Sequence, residues 1–435
     1  MKALAVLGST GSIGEQTLDV AARESARLEV TALAAGRSLD RLCEQAARWR
    51  PRHVALEQAA DPVAAREQLR AAAPGADVEV GPGSAARLAE RCGAPLVVNG
   101  IVGAAGLAAS LAALRRGARL ALANKETLVI GADLVAPLLR RAGPAAPAKA
   151  SNPVLRRGAA ELVPIDSEHS AALQCLQGRP AAEVARLTLT ASGGPLRTHP
   201  DWRRATPAEV LAHPVWAMGP RITTDSATLF NKGLELIEAH ALFGLGWDQL
   251  DAVIQPRAVL HAIASFRDGS LVAQAAHADM RLPIQLALSW PERWGEAVPP
   301  LPVTALAGLE IHAIEPRDHP AFACALAAGR AGGTAPCVVN AADEVAVHAF
   351  LEGAIALGRV PEVLEAVLEA HRVEPVESYE QLRAVDAWAR EAAQRAIAHP
   401  AGHAAGRTAG RAAGRAAGHA AGGAAGHPPK AGDFQ

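Results

Sequence analysis

Aromatic residues make up only 3% of the 435-residue chain: seven Trp, six Phe and one Tyr. Its cores must therefore be packed from Ala, Leu, Val and Ile, and an apolar share of 50% is enough for that. Neither sign of charge is in excess: 43 Lys and Arg face 44 Asp and Glu, a net charge of -1. That excludes a global basic field drawing the chain to nucleic acid, and an acidic excess keeping it unfolded. Cysteine is scarce. Cys43, Cys92, Cys175, Cys324 and Cys337 are odd in number, far apart and without a C-x-x-C. This excludes a disulfide framework and a zinc knuckle, and a reducing, cytoplasmic setting is expected. Met1 runs straight into a strand pattern, so no signal or transit peptide is expected. The one long uncharged run, 94–114, raises a membrane span as a possibility. Asn99, Gly100, Gly103 and Gly106 instead divide it into strand, turn and helix, so no membrane partner is expected.

The length suggests two to three domains. Residues 2–7 read as a buried strand, followed by a glycine-rich turn, a helix over about 15–23 and a strand at 29–34. Strand-like runs recur at 53–56, 77–80, 96–101 and 119–123, with helical patterns between most of them. Such alternation means a parallel, doubly wound sheet. This first domain spans 1–142, and a Pro/Ala-rich linker over 143–160 follows. A second block, 161–297, mixes strands (184–190, 258–266, 270–275) with helices (170–177, 231–243) in an α+β pattern. A Pro-rich connector over 298–320 leads to a helical domain at 321–396. From Gly402 a tetrapeptide repeats (GHAA, GRTA, GRAA), with almost no large apolar residue. Glycine at every fourth position costs a helix about 1 kcal/mol each time. A disordered tail with a charge of +3 is expected over 397–435.

Gly8-Ser9-Thr10-Gly11-Ser12-Ile13-Gly14 separates the first strand from the first helix. Its G-x-x-G-x-x-G spacing permits close approach to a pyrophosphate at a helix N-terminus, or serves as an ordinary turn. The second strand ends at Gly36-Arg37-Ser38, without the acid that would hold a ribose 2′-hydroxyl. A guanidinium and a hydroxyl suit a 2′-phosphate instead.

Asp166-Ser167-Glu168 follows the apolar run 162–165. On a strand the two carboxylates share a face and call for a hard cation such as Mg²⁺ or Mn²⁺. The alternative is a helix N-cap. Asn231, Lys232 and Glu235 lie on one arc of a helix, either as a site or as a solvated ion pair. Asn124-Lys125-Glu126 ends a strand, where parallel sheets bind ligands. Ser192-Gly193-Gly194 is a turn able to offer donors to an anion. His213-Pro214-Val215-Trp216-Ala217-Met218-Gly219 reads as a mobile lid or as a fixed turn with a core-packed Trp.

Taken in order, GSTGSIG, AGR, LANKE, PIDSEH, SGGP, HP-x-W-x-MG, DSAT-x-x-NKGLE and NAADE resemble 1-deoxy-D-xylulose 5-phosphate reductoisomerases over residues 1 to about 396. The resemblance implies an NADPH- and divalent-metal-dependent enzyme of non-mevalonate isoprenoid biosynthesis. It would rearrange and reduce 1-deoxy-D-xylulose 5-phosphate to 2-C-methyl-D-erythritol 4-phosphate. It further implies a homodimer whose subunit has a Rossmann-like NADPH domain, a catalytic domain and a C-terminal helical domain. By motif match, Asp166, Glu168 and Glu235 would hold the metal. Lys125, Ser167, Glu168, Ser192, His213, Ser226, Asn231, Lys232 and Glu235 would hold the phosphorylated sugar. Thr10, Gly11, Ser12, Ile13, Gly36, Arg37, Ser38, Asn124, Glu126 and Gly219 would hold NADPH, with Trp216 and Met218 in the lid. Three features depart from the family: the longer 143–160 stretch, Pro220 in place of a basic residue, and the repeat tail. Another NADP-dependent oxidoreductase of the same scaffold, or a silent binding protein, stays open at this point.

Overall fold

The computed structural model describes residues 1–140, 160–213, 215–216 and 218–399. Most of the predicted linker (143–159) and the repeat tail from 400 onward lie outside them. The first sheet is built from β1 (Lys2–Leu7), β2 (Leu28–Ala35), β3 (His53–Leu56), β4 (Asp77–Val80), β5 (Leu96–Asn99), β6 (Arg119–Leu122) and β7 (Glu161–Pro164). Between them run α1 (Ser12–Arg23), α2 (Leu39–Trp49), α3 (Pro62–Ala72), α4 (Ser84–Arg91), α5 (Ala105–Arg115) and α6 (Glu126–Arg140). All seven strands are parallel, in the order β4-β3-β2-β1-β5-β6-β7. Leu4, Ala5, Val6 and Leu7 of β1 and all of β5 are buried, as befits strands covered on both faces.

β7 lies beyond the break that the sequence suggested at 142, yet it pairs with β6 from Arg119↔Glu161 to Leu122↔Pro164. Its run follows the Pro/Ala-rich stretch that interrupts the strand–helix alternation, so no local period ties it to the first sheet. The chain then continues through α7 (Ser167–Leu176), β8 (Val184–Ala191), α8 (Pro207–Leu211), α9 (Pro220–Ala227) and α10 (Phe230–Phe243). Next come β9 (Leu250–Ile254), β10 (Leu260–Phe266), β11 (Leu271–Ala275), α11 (Arg281–Ser289) and β12 (His312–Ala313). The second sheet has the order β11-β10-β8-β9-β12 and is mixed: β8 is parallel to β9 and antiparallel to β10. The sequence reading had no strand at β9, and the predicted connector contributes β12 to this sheet. Four helices follow, α12 (Pro320–Ala331), α13 (Ala335–Leu351), α14 (Arg359–Ala370) and α15 (Tyr379–Ala398). Gly233 lets α10 and α12 come together, because a Cβ there would stand 2.4 Å from that of Ala325.

Candidate functional site

The strand order of the first sheet reverses between β1 and β5, which opens a crevice beyond their carboxyl ends. The glycines of the loop after β1 are there for contact. Gly8 has a φ of +77°, and a Cβ on it would lie 2.7 Å from the Gly100 carbonyl oxygen in the loop after β5. A Cβ on Gly14 would lie 2.3 Å from the Gly8 oxygen. Gly11 is the N-cap of α1 and brings no side-chain cap. The first N–H groups of that helix are thus available to a phosphate. Gly36, Arg37 and Ser38 are exposed at the end of the neighbouring β2. Arg37 Nε donates to Gln58 Oε1 at 2.6 Å.

Asn124 and Glu126 follow β6 and are 2% and 7% exposed. Asn124 Nδ2 donates to the carbonyls of Ile101 and Gly103 at 2.8 and 2.9 Å. Glu126 Oε1 accepts from Gly103 N at 3.1 Å and from Arg221 Nη1 at 3.0 Å. Both side chains therefore fix loop 101–103 at the mouth of the crevice.

The expectation that Asp166 and Glu168 share the face of a strand is corrected. β7 stops at Pro164, and Asp166 is the N-cap of α7, accepting from Glu168 N at 3.4 Å. The cap reading holds, and the cap brings the two carboxylates onto one helix end, where both could still face a cation. Glu235 arrives from α10, and oxygens of Asp166, Glu168 and Glu235 all lie within 4.8 Å of one another. Lys125 is hydrogen-bonded to Asp166 and lies 3.6 Å from Glu235 Oε1. Lys232 Nζ donates to Glu168 Oε1 at 3.0 Å and also to Glu235. Asn231 Nδ2 donates to the other oxygen of Glu235.

Charge in this cluster is out of balance. Burial opposes the ammonium of Lys125, yet Asp166, Glu235 and Glu238 together hold it well above an ordinary lysine. Burial also opposes the carboxylate of Asp166, but Lys125 and His169 hold it well below the usual range. Burial and the neighbouring Glu235 push Glu168 up, against the pull of Lys232. Four acids (Asp166, Glu168, Glu235, Glu238) thus meet two lysines and His169. A further cation would relieve the repulsion, and an all-oxygen set at this spacing fits a hard divalent ion.

A second group, Asp166, His169 and Glu238, is also close enough to hold a metal. His169 and Glu238 are 0% and 1% exposed and stand outside the cleft wall. His169 Nε2 donates to the Glu235 carbonyl at 2.8 Å. Its other nitrogen lies 3.5 Å from both Asp166 and Glu238. Burial lowers the imidazole pKa but these two carboxylates raise it more, to about 9. His169 is itself the cation of that group, so the open Asp166/Glu168/Glu235 set is the better metal site.

The Ser192-Gly193-Gly194 turn forms where expected, after β8. Gly194 has a φ of +64°, and a Cβ on it would stand 2.7 Å from the Ser226 carbonyl oxygen. This close approach brings Ser192 and Ser226 to the same imidazole. His213 Nδ1 accepts from Val215 N at 3.2 Å and Trp216 N at 2.9 Å. The proton therefore resides on Nε2, which donates to Ser192 Oγ at 3.2 Å and Ser226 Oγ at 3.3 Å. Burial depresses the pKa of His213 and keeps it neutral.

A cleft of about 650 Å³ joins these parts. Ser12, Ile13, Asn124, Lys125, Glu126, Asp166, Ser167 and Glu168 line it, with Ser192, Trp216, Met218, Gly219, Ser226, Asn231, Lys232 and Glu235. Thr10, Gly11, Gly36, Arg37, Ser38 and His213 are not in its wall. Trp216 is half-buried, 6.5 Å from the His261 ring. Pro220 occupies the first turn of α9, a favourable place for proline. Sequence reading missed His169, Glu238, Arg221 and Asp225. Their signals were present: His169 ends PIDSEH, Glu238 follows Glu235 by one helical turn, and Arg221 adjoins the lid motif.

A family model described as 1-deoxy-D-xylulose 5-phosphate reductoisomerase matches residues 4–132. Two models of C-terminal domains of that enzyme match 162–243 and 276–392. The 1-deoxy-D-xylulose 5-phosphate reductoisomerase of Synechococcus sp. (strain JA-2-3B'a(2-13)) is 44% identical over 404 residues, covering 92% of this chain and 99% of its own. That of Moorella thermoacetica is 46% identical over 401 residues, covering 90% and 97%. The structure of the Zymomonas mobilis reductoisomerase in complex with NADPH superposes with a TM-score of 0.80 at 34% identity, covering 91% of this chain and 99% of that one. A reductoisomerase structure with NADPH, fosmidomycin and magnesium gives 0.83 at 33% identity, covering 92% and 98%. With most of its length matched by these models, relatives and structures, the chain belongs to the 1-deoxy-D-xylulose 5-phosphate reductoisomerase family.

Proposed function

We propose that this protein converts 1-deoxy-D-xylulose 5-phosphate to 2-C-methyl-D-erythritol 4-phosphate with NADPH and Mg²⁺ or Mn²⁺, in the non-mevalonate route to isoprenoid precursors. The observation that carries the reading is the meeting of Asp166, Glu168 and Glu235 with Lys125 and Lys232 in a cleft that reaches the β1/β5 crevice. When bound, the metal supplies charge stabilisation and NADPH supplies the hydride.

The protein's own residues divide the remaining tasks. Asp166, Glu168 and Glu235 offer oxygens to the metal. Lys125 and Lys232 neutralise those carboxylates and face the substrate's oxygens. His213 aims the hydroxyls of Ser192 and Ser226 at the sugar phosphate, with Ser167 and Asn231 completing the substrate contacts. Trp216 and Met218 cover the substrate and exclude water. Thr10, Gly11, Ser12 and Ile13 take the pyrophosphate, Gly36, Arg37 and Ser38 the 2′-phosphate. Asn124, Glu126 and Gly219 shape the cofactor's inner wall.

On this reading residues 1–142 are the cofactor domain, 161–297 the catalytic domain and 321–396 the helical domain, joined by 143–160 and 298–320. The protein acts as a cytoplasmic homodimer on a small phosphorylated sugar, without nucleic-acid or membrane partners. Among the described residues no helix is long and apolar enough to cross a membrane. The test is NADPH oxidation with 1-deoxy-D-xylulose 5-phosphate, with and without Mg²⁺ or Mn²⁺. Turnover that needs both substrate and metal is expected. Absence of turnover with either metal overturns the assignment.

A further inference from the structure

Arg221 and Asp225 lie one turn apart on α9; Asp225 is buried, and Arg221, its side chain 19% exposed, faces α6 and α13. Arg221 Nη1 donates to Glu126 Oε1 of α6 at 3.0 Å and to Glu344 Oε1 of α13 at 2.8 Å. Its Nη2 donates to Asn340 Oδ1 at 2.9 Å and lies 3.6 Å from Asp343 Oδ2. Its Nε lies 3.6 Å from Asp225 Oδ2. On the far side, Arg390 of α15 pairs with Glu344 and with Asp386, the latter at 2.7 Å. Two arginines therefore face five acids: Asp225, Glu126, Asp343, Glu344 and Asp386.

Asp225 and Asp343 are 3% and 0% exposed. Both carboxylates flank the same guanidinium, each with an oxygen 3.6 Å from a nitrogen of Arg221. Among the described residues, neither oxygen of Asp343 nor Oδ1 of Asp225 is given a donor. Two ionised carboxylates have nothing to donate, and buried side by side they cannot both stay charged. One proton between them removes the repulsion.

We propose that Asp225 and Asp343 share one proton, and that this neutralised pair holds Arg221 on Glu126, making Asp343 a positioning residue for loop 101–103. The bond from Glu126 to Gly103 N carries the effect to that loop. The role in cofactor binding rests on the function proposed above; the shared proton does not. Burial is the main force raising both acids, Asp343 well above the carboxylate range and Asp225 to about 6, the latter against the pull of Arg221.

The experiment compares wild type with Asp343→Asn, whose amide donates without ionising, and with Asp343→Leu, which cannot donate. The infrared carbonyl band of a protonated carboxyl is recorded at neutral pH. NADPH affinity is measured by fluorescence titration between pH 6 and 9. Wild type should show a band that Asp343→Asn loses. Wild-type affinity should weaken several-fold as pH rises, Asp343→Asn should hold its affinity across the range, and Asp343→Leu should be weakened throughout. An unchanged band in Asp343→Asn overturns the shared proton. A lost band with wild-type pH dependence of affinity overturns the positioning role. Failure of wild type to bind NADPH overturns the cofactor reading while the infrared comparison still decides the proton.

Discussion

Glu235 is 2% exposed, and its two oxygens are held by Asn231 and Lys232. A glutamine would keep the shape and remove the charge. Glu235→Gln and Asp166→Asn should each lower kcat by orders of magnitude while NADPH still binds, because metal-supplied charge stabilisation contributes several kcal/mol. Activity above about a tenth of wild type, a barrier rise under ~1.4 kcal/mol, would exclude the residue as a ligand. His213 makes a different prediction. Its Nε2–H serves two serines, so His213→Ala should lose about 1–3 kcal/mol, or about 5- to 150-fold in kcat/KM, at roughly 0.5–1.5 kcal/mol per bond. Its pKa is depressed by burial, so the neutral form is the folded one. Protonation would place a hydrogen on Nδ1 against two backbone N–H groups. Substrate affinity should therefore fall on the acid side, below the ordinary histidine value of about 6.5, and Asp166→Asn should leave that limb of a substrate-binding titration in place. Arg37 is singled out by the missing acid after β2. Arg37→Ala should reduce the preference for NADPH over NADH by about 10- to 150-fold, the worth of a charge-assisted bond of roughly 1.5–3 kcal/mol. Equal use of NADH by the wild type would refute that role.

Elements with a long period or a clear boundary were readable, the four-residue β3 and β4 between their helices among them. β1, β2 and the first helix followed from an apolar run, a glycine turn and a 3.6-residue pattern. β9 and β12 were not, because their pairing is decided by β8 and by β9 itself, far away in sequence. The strand argument for Asp166 and Glu168 was incomplete: Asp166 stands at a helix cap and not on a strand. The Arg221 group escaped because its members come from four helices and no local pattern joins them. Ser192-Gly193-Gly194 shows what an element boundary can demand. Gly194→Ala would place a Cβ 2.7 Å from the Ser226 carbonyl oxygen at a φ of +64°. Either α9 or the turn must shift, separating Ser192 from Ser226. A loss of about 1–3 kcal/mol in stability is expected from backbone strain of this kind, together with a raised KM for the sugar phosphate. A variant with unchanged melting temperature and unchanged KM would show that the turn does not set the spacing of the two serines.

Residues Met1–Ile397 form one compact unit in their contacts. β7 extends the first sheet past the predicted break, α10 packs on α6, and α13 packs on both α6 and α9. The cleft takes its walls from elements along the whole of this unit: Ile13 of α1, Glu126 of α6, Glu168 of α7, Arg221 of α9 and Glu235 of α10. A ligand in it touches elements that cannot separate without exposing buried surface. Such a molecule should unfold in a single calorimetric transition rather than domain by domain. Ligand binding should then raise that one transition as a whole. At 100-fold excess over its dissociation constant a ligand adds about 2.7 kcal/mol to the folded state. Scanning calorimetry with NADPH and Mg²⁺ should therefore show one peak moved upward, and the Mg²⁺ contribution should vanish in Asp166→Asn. Two peaks, of which NADPH moves only one, would mean that residues 1–142 unfold on their own and that the shared cleft does not couple them to the rest.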